Sequence, residues 1–125
     1  MIQLTDCGMM ELPASIGNLH ALTALWLGYN QIPSIPDSVT RLKYLIDLDM
    51  KYNRLTQLPF GFGNLKALKR CNFGYNQIRT LPQSIGNLDG MIHWRLENNF
   101  LETLPTSIGS VGGGRGGAFS ALLLE

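Results

Sequence analysis

Two pairs of side chains in this sequence are of the types that enzymes use for chemistry. Cys71 and His93 could serve as a nucleophile and a general base, with the imidazole taking the thiol proton. Asp47 and Asp49 lie two residues apart, so their carboxylates could act as a general acid and base or bind a metal ion. Whether either pair can react depends on the structural elements that position it.

The composition is that of a folded chain without a strong charge bias. The chain has 125 residues, of which 45% are hydrophobic and 15% charged, and its net charge is +1. This balance favours neither nucleic acid nor an anionic membrane as a partner. We expect no membrane span, because no apolar run reaches about 18 residues, and the N-terminus lacks the features of a secretory signal. With only two cysteines, these features predict a cytoplasmic protein.

A 23-residue repeat runs along most of the chain. The stretch GYNQI occurs at 28–32 and again at 74–78, which is two repeat lengths later. Asparagines recur at this spacing, and one step earlier the same position holds a cysteine: Cys7, Asn30, Asn53, Asn76 and Asn99. A Leu-Pro or Ile-Pro pair recurs in the same way, followed by segments such as SIGNL at 15–19 and 84–88.

Aligned on the asparagines, four copies read LTALWLGYNQI, LIDLDMKYNRL, LKRCNFGYNQI and MIHWRLENNFL. They resemble the leucine-rich repeat, L-x-x-L-x-L-x-x-N/C-x-L, and the resemblance covers residues 1–111. The repeat length and the LPxSIGNL segment are similar to the intracellular Ras-suppressor, Erbin and Scribble type. The resemblance implies a non-catalytic protein-binding module in scaffolding or signalling, with small Ras-like GTPases among the implied partners.

The repeat predicts an α/β fold, a right-handed leucine-rich repeat solenoid with a parallel sheet on its concave face and short helical turns on its convex side. Leu25 and Leu27 point to one side of a strand and Trp26 to the other, so stacked units share one core. Serines open the convex turns and are predicted to be N-caps: Ser15, Ser38, Ser84 and Ser107. Residues 1–111 form the predicted repeat domain, with partial first and last units, and 112–125 a Gly-rich linker and apolar tail.

The asparagines are predicted to be structural. The backbone turns just after each strand and leaves N–H and C=O groups without ladder partners. An inward amide side chain has donors and acceptors for its own loop and a neighbouring one. We therefore expect the four asparagines to be buried and bonded to loop backbone, with Cys7 in the equivalent place.

In this register neither reactive pair is arranged for catalysis. Cys71 falls in the buried seam and His93 on the opposite strand face, while Asp47 lies beside Arg70, a partner for a surface ion pair. Cys7 lies three repeats from Cys71, roughly 14 Å, which is too far for a disulfide. The 112–117 glycines lack the P-loop pattern. We predict no enzymatic activity, no metal and no cofactor.

The outward strand face is the predicted partner-binding surface. Its residues fall in columns across the stack and include a Trp, three Tyr and charges of both signs, a composition typical of interfaces. The predicted contact residues are Trp26, Tyr29, Asp47, Asp49, Tyr52, Arg70, Asn72, Tyr75, His93 and Arg95. An alternative for the tyrosines is that they pack on one another and shield the asparagines. The convex segments, by contrast, offer mostly small or polar residues.

Both ends of the repeat array lack a polar cap, which indicates a fragment of a longer repeat protein or a truncated gene product. Two alternatives to a scaffold therefore stay open. The chain could be the sensing part of an immune-receptor-type protein, or the recognition arm of a multidomain ligase or kinase.

Overall fold

Each 23-residue unit contributes one short strand to a single parallel sheet. The computed structural model describes residues 1–107, so the predicted residues 108–111 of the last unit and the 112–125 tail lie outside the described part. Within it the strands follow chain order across the sheet: β1 (Ile2–Gln3), β2 (Ala24–Trp26), β3 (Asp47–Asp49), β4 (Arg70–Asn72) and β5 (His93–Arg95). The predicted solenoid architecture is confirmed.

The register of the sheet equals one repeat length throughout. Leu25 pairs with Leu48, Leu48 with Cys71, and Cys71 with Trp94. All four side chains point into the core and are at most 5% exposed. Their neighbours on either side in each strand point the other way, onto the face that we call the concave face.

The core changes its composition toward the last strands. Leucines fill most of the inward positions in the early units, whereas Phe62, Phe73 and Trp94 form an aromatic cluster with ring centroids 5.6 to 6.3 Å apart. Cys71 is small enough to share this region with the three rings. Such tilted and edge-on contacts are favourable geometries for aromatic pairs.

The convex side consists of short 3₁₀ helices: Ala14–Asn18, Asp37–Arg41, Phe60–Asn64 and Gln83–Asn87. Each follows a proline whose φ lies between −71° and −62°, close to the value that the proline ring imposes. The repeated Leu-Pro or Ile-Pro pair therefore ends the extended segment and starts the turn at the same position in every unit.

The convex serines do not act as N-caps, so that prediction was wrong. The cap position is occupied by proline, and no side chain caps these helices. Ser38 instead donates its Oγ hydrogen to the Ala14 carbonyl 2.6 Å away, in the preceding unit. The serine thus bonds between units, because each helix packs directly on the one before it. Ser84 and Ser107 make the same bond to Phe60 and Gln83.

Close packing between convex helices depends on a small residue in one of them. A Cβ atom on Gly63 would lie 1.9 Å from the carbonyl oxygen of Ser84, which is an impossible contact. One junction reverses the arrangement. Thr40 stands where the neighbouring units have glycine, and the residue that faces it is Gly61 instead of serine. Here the larger residue is on the earlier helix and the glycine on the later one, so the two helices can still pack closely.

The asparagines satisfy the loops that follow the strands. The Asn53 side chain donates to the carbonyls of Leu27 and Met50 at 2.9 and 3.0 Å, and its Oδ1 accepts the Ile32 N–H at 3.0 Å. Asn30, Asn76 and Asn99 repeat this set of bonds with a shift of one unit each. We refer to these four residues as the asparagine ladder.

The residues at the two ends of this series, Asn99 and Cys7, are less buried than predicted. Asn30, Asn53 and Asn76 are buried, but Asn99 is only half-buried, since no later strand lies beside it within residues 1–107. Cys7 is exposed, and its thiol makes a single long bond of 3.5 Å to the Thr5 carbonyl. A thiol is a weak donor, so Cys7 replaces only part of an amide's role.

Replacing Asn53 by Ala should lower the free energy of unfolding by about 1–3 kcal/mol, because buried loop groups lose their partners. The matched control is Asn87→Ala, which removes an exposed amide from a convex helix and should stay within about 0.5 kcal/mol. Urea unfolding of both variants measures the difference. Equal stability of the two would show that the ladder does not hold the loops.

The two cysteines should differ sharply in reactivity. Burial, followed by the nearby charge of Asp47, raises the pKa of the Cys71 thiol well above its usual value, so the nucleophilic thiolate does not form near neutral pH. Cys7 is exposed, and both are free. Iodoacetamide should therefore alkylate Cys7 in the native protein and Cys71 only after unfolding, as intact mass would show. Rapid double alkylation of the native chain would contradict the buried position of Cys71.

Candidate functional site

The concave face aligns its side chains in two columns. The first contains Ala24, Asp47, Arg70 and His93, and the second contains Trp26, Asp49, Asn72 and Arg95. Neighbours in a column are one strand apart, about 4.8 Å, because the strands pair in register. Trp26 is half-buried, whereas Arg70, His93 and Arg95 are exposed. The structure thus brings the predicted strand residues onto one surface.

Among residues 1–107, three ion pairs lie on this surface. Arg70 Nε is 3.4 Å from Asp47 Oδ2 across neighbouring strands, as the sequence predicted. Lys51 pairs with Asp49 at 3.6 Å within its own unit. A third pair, between Arg95 and Glu97, is 3.8 Å long. Exposed pairs of this kind contribute only about 0–1 kcal/mol each, so a partner could exchange them for its own charges at little cost.

Two of the predicted contact residues also have a structural role. Asp49 Oδ1 accepts the backbone N–H of Lys51 at 3.1 Å, and Asn72 Oδ1 accepts that of Gly74 at 3.0 Å. Each bond closes a small turn at the end of its strand, a role that short polar side chains often take. This role was not predicted from the sequence, although a short polar residue at the same position of two consecutive units, Asp49 and Asn72, was its signal.

The three tyrosines at the edge of the concave face form a stack. The Tyr29 and Tyr52 ring centroids are 4.5 Å apart at 12°, and those of Tyr52 and Tyr75 are 4.3 Å apart at 5°. The rings therefore pack on one another, as the alternative interpretation held. They also remain 39% to 48% exposed, and Lys51 Nζ lies 5.8 Å from the Tyr29 ring centroid. The stack is a preformed aromatic surface with a cation at one end.

Every tyrosine of the stack has a left-handed backbone. Their φ angles are 55° to 59°, a region that costs a bulky residue free energy. The residues at the same position in the first and last units are Asp6 and Asn98, with φ of 56° and 58°. Asp and Asn tolerate this conformation best after glycine. Their presence at the two ends was the signal in the sequence that this position turns left-handed.

Neither reactive pair forms a catalytic arrangement. Cys71 is buried in the core, while His93 is exposed on the concave face, so the two side chains point to opposite sides of the sheet. Asp47 is occupied by Arg70 and Asp49 by Lys51. Within residues 1–107 no group of three or more His, Cys, Asp or Glu side chains is placed to hold a metal ion.

The convex side is less polar than predicted. Phe60 is 90% exposed at the start of its helix, where the other units have Ala14, Asp37 and Gln83. It borders a cavity of about 340 Å³ that is also lined by Pro59 and Pro82. The convex surface therefore offers one aromatic contact of its own, which any test of the concave face must control for.

Tyr52 should titrate late in alkali. Partial desolvation in the stack, then the neighbouring Tyr75, raises its pKa above the usual value of 10.0. The folded state thus favours the neutral phenol, so this stabilisation is complete below pH 10.0 and is lost as pH rises through the higher folded pKa. Tyr52→Phe should remove a late phenolate component from an ultraviolet titration and shift alkaline unfolding to higher pH. Tyr44→Phe is the control outside the stack, and a late component that persists in Tyr52→Phe would contradict this assignment.

Comparisons with known proteins agree with this geometry. Residues 44–65, which include β3 and the helix after it, match the family model described as Leucine Rich Repeat. A search of curated proteins by sequence gave no match. Within residues 1–107 no helix is long and apolar enough to cross a membrane.

Three similar solved structures are all of repeat proteins. A leucine-rich repeat protein of Leptospira interrogans is 28% identical with a TM-score of 0.70, over 88% of this chain and 34% of its own. The plant peptide hormone receptor RGFR1, solved in complex with RGF2, is 26% identical at TM-score 0.73, over 82% of this chain and 17% of its own. An internalin of Listeria monocytogenes is 26% identical at TM-score 0.67, over 80% and 29%.

The chain thus spans about a third of these proteins or less. The matching unit, the one-repeat register of the sheet and the asparagine ladder all lead to the same assignment. The chain has the leucine-rich repeat fold, and its residues 44–65 match the family model.

Proposed function

We propose that this chain is a non-catalytic module that binds another protein through its concave face. The observation that carries the proposal is the in-register alignment of Trp26, Asp49, Asn72 and Arg95 across four strands, beside the exposed tyrosine stack. A partner that lies across the strands would contact all of these residues together. Rigid aromatic side chains and arginine are the types that contribute most to protein interfaces.

The charges of the concave face predict the orientation of the bound partner. The outward acids of the strands, Asp47 and Asp49, lie on β3, whereas Arg70 lies on β4 and Arg95 on β5. Arg95 has a side chain that is 62% exposed, so it is the most available of the paired cations. A complementary partner would place basic groups over β3 and acidic groups over β5. Such complementarity mainly controls orientation and association rate.

The comparisons support a polypeptide ligand in general terms. The similar receptor RGFR1 was solved with RGF2 bound, so a protein with this fold carries a ligand in that case. We extend the proposal to a cytoplasmic scaffold or signalling role, with small Ras-like GTPases as candidate partners, on the resemblance to the intracellular 23-residue type. The composition of the concave face is compatible with such a partner without singling it out.

The second candidate is that the chain is the recognition part of a larger protein. It spans only 17% to 34% of the similar structures, all of which are longer. An immune-receptor-type protein or a multidomain ligase or kinase would then supply the remaining activity. In both cases the concave face is the binding surface, so one experiment addresses the proposal in either context.

Removing the concave contacts should weaken binding strongly without unfolding the chain. The immobilised chain is first used to capture a partner from a lysate of its own organism, and the purified partner is then titrated. Trp26→Ala combined with Arg95→Ala should weaken binding by at least about 2 kcal/mol, because both lie in the second column. Arg95→Glu alone tests the exposed charge without disturbing the half-buried tryptophan.

The controls lie on the convex side. Asn18→Ala and Asn87→Ala remove exposed convex amides and should leave affinity within about 0.5 kcal/mol. Phe60→Ala removes the exposed aromatic side chain of the convex helix Phe60–Asn64. Circular dichroism confirms that each variant is folded. If Phe60→Ala abolishes binding while the Trp26 and Arg95 variants retain it, the binding surface is convex and the proposal is wrong.

A further inference from the structure

A second surface stands out by its charge. Five of the chain's ten Lys and Arg residues, all of them exposed, lie in two consecutive units between the end of the convex helix and the start of the next strand. We call this surface the basic rim and define it by Arg41, Lys43, Lys66, Lys69 and Arg70. The chain as a whole has a net charge of only +1, so this clustering is not a consequence of a basic composition.

Backbone hydrogen bonds hold the loops of the basic rim side by side. The N–H groups of Lys69 and Arg70 donate to the Ile46 carbonyl at 2.9 and 3.1 Å, and the N–H of Ile92 donates to the Lys69 carbonyl at 2.8 Å. Lys43 and Lys66 occupy equivalent positions in consecutive units. The cations are therefore fixed on adjacent loops of one surface.

Most of this positive charge is not neutralised by the protein itself. Arg70 is paired with Asp47. Lys66 Nζ donates to the Asn87 carbonyl at 3.0 Å, and because a carbonyl is neutral, this bond does not neutralise the lysine charge. Arg41, Lys43 and Lys69 form no ion pair within residues 1–107. The equivalent position in the next unit, 23 residues after Lys66, holds an acid, Asp89.

Apolar groups lie between the cations. Tyr44 is 54% exposed, with Lys43 Nζ 5.5 Å from its ring centroid, and Ile92 is 56% exposed. Ile46 is half-buried at the position equivalent to Lys69 and Ile92. A ligand that matches this surface needs carboxylates for the cations and apolar side chains for the tyrosine and the isoleucines.

We propose that the basic rim binds an acidic segment of a partner protein, in which Asp and Glu alternate with apolar residues. A nucleic acid fits less well. Affinity for a nucleic acid comes mainly from many phosphate contacts, and base binding needs exposed aromatic rings in series. The rim has five cations, one exposed aromatic ring, one exposed isoleucine and one half-buried isoleucine. Arg70 is shared with the first column of the concave face, but the other four cations of the rim lie outside both columns and the aromatic stack, so variants at Lys43 and Lys69 test this inference separately from the concave-face proposal.

The test uses the full chain and a labelled synthetic peptide of about 12 residues, in which Glu or Asp alternates with Leu. Fluorescence anisotropy measures the binding of the peptide at low and at physiological salt. Lys43→Glu combined with Lys69→Glu should weaken binding about tenfold or more. The matched control is Arg54→Glu combined with Arg79→Glu, which changes the net charge equally. These two arginines are exposed on the opposite edge, beyond the strand ends, and should change affinity less than about twofold.

Several outcomes would overturn the proposal. Equal loss in both double variants would mean that the peptide responds only to net charge, and no binding by the wild-type chain would remove the site. Tighter binding of a single-stranded oligonucleotide of equal length would assign the rim to nucleic acid instead. The Trp26→Ala/Arg95→Ala variant should bind the peptide like the wild type, so failure here and failure of the concave-face proposal are separate results.

Discussion

The asparagine ladder is the interaction on which the rest of this structure depends. Each amide joins its own loop to the loop of the preceding unit, as Asn53 does by binding Met50, Leu27 and Ile32. Because the loops are locked in this way, every strand ends at the same level, and the residue before each asparagine has φ between 55° and 59°. The tyrosine stack follows directly, since three rings leave the backbone in the same direction from consecutive left-handed positions.

The opposite side of each unit is held by a different contact. Ser38 Oγ binds the Ala14 carbonyl, and Gly17 allows the helices to approach that closely. At the next junction Thr40 and Gly61 exchange the large and small roles, and the Thr40 hydroxyl bonds within its own helix, to the Asp37 carbonyl at 2.7 Å. The unit spacing is therefore set by the combined volume of two facing residues, so neither residue can be understood from its own unit alone.

The sequence predicted the parts of the fold that follow from period and polarity. A 23-residue spacing and strand alternation were enough to place Leu25, Cys71 and Trp94 inside and to align Asp47 with Arg70. It did not predict contacts that depend on distances between units, such as the bonds made by the convex serines. The exposure of Phe60 and the charge of the basic rim were also missed, because both become visible only when loops from different units are placed side by side. The partner-binding roles of the concave residues stay predictions.

The range of the hydrogen bonds also limits how such a chain can change in length. The bonds of the ladder join residues 21 and 26 positions apart, and the convex serine bonds join residues 24 apart. An insertion of one residue within a unit would change at least one of the 26-residue separations of the ladder. Loss or gain of a whole 23-residue copy would keep every one of them and would alter only the length of the columns. Copy number is thus the variable that evolution can adjust most freely here, and each added copy would lengthen both the concave face and the edge that bears the basic rim.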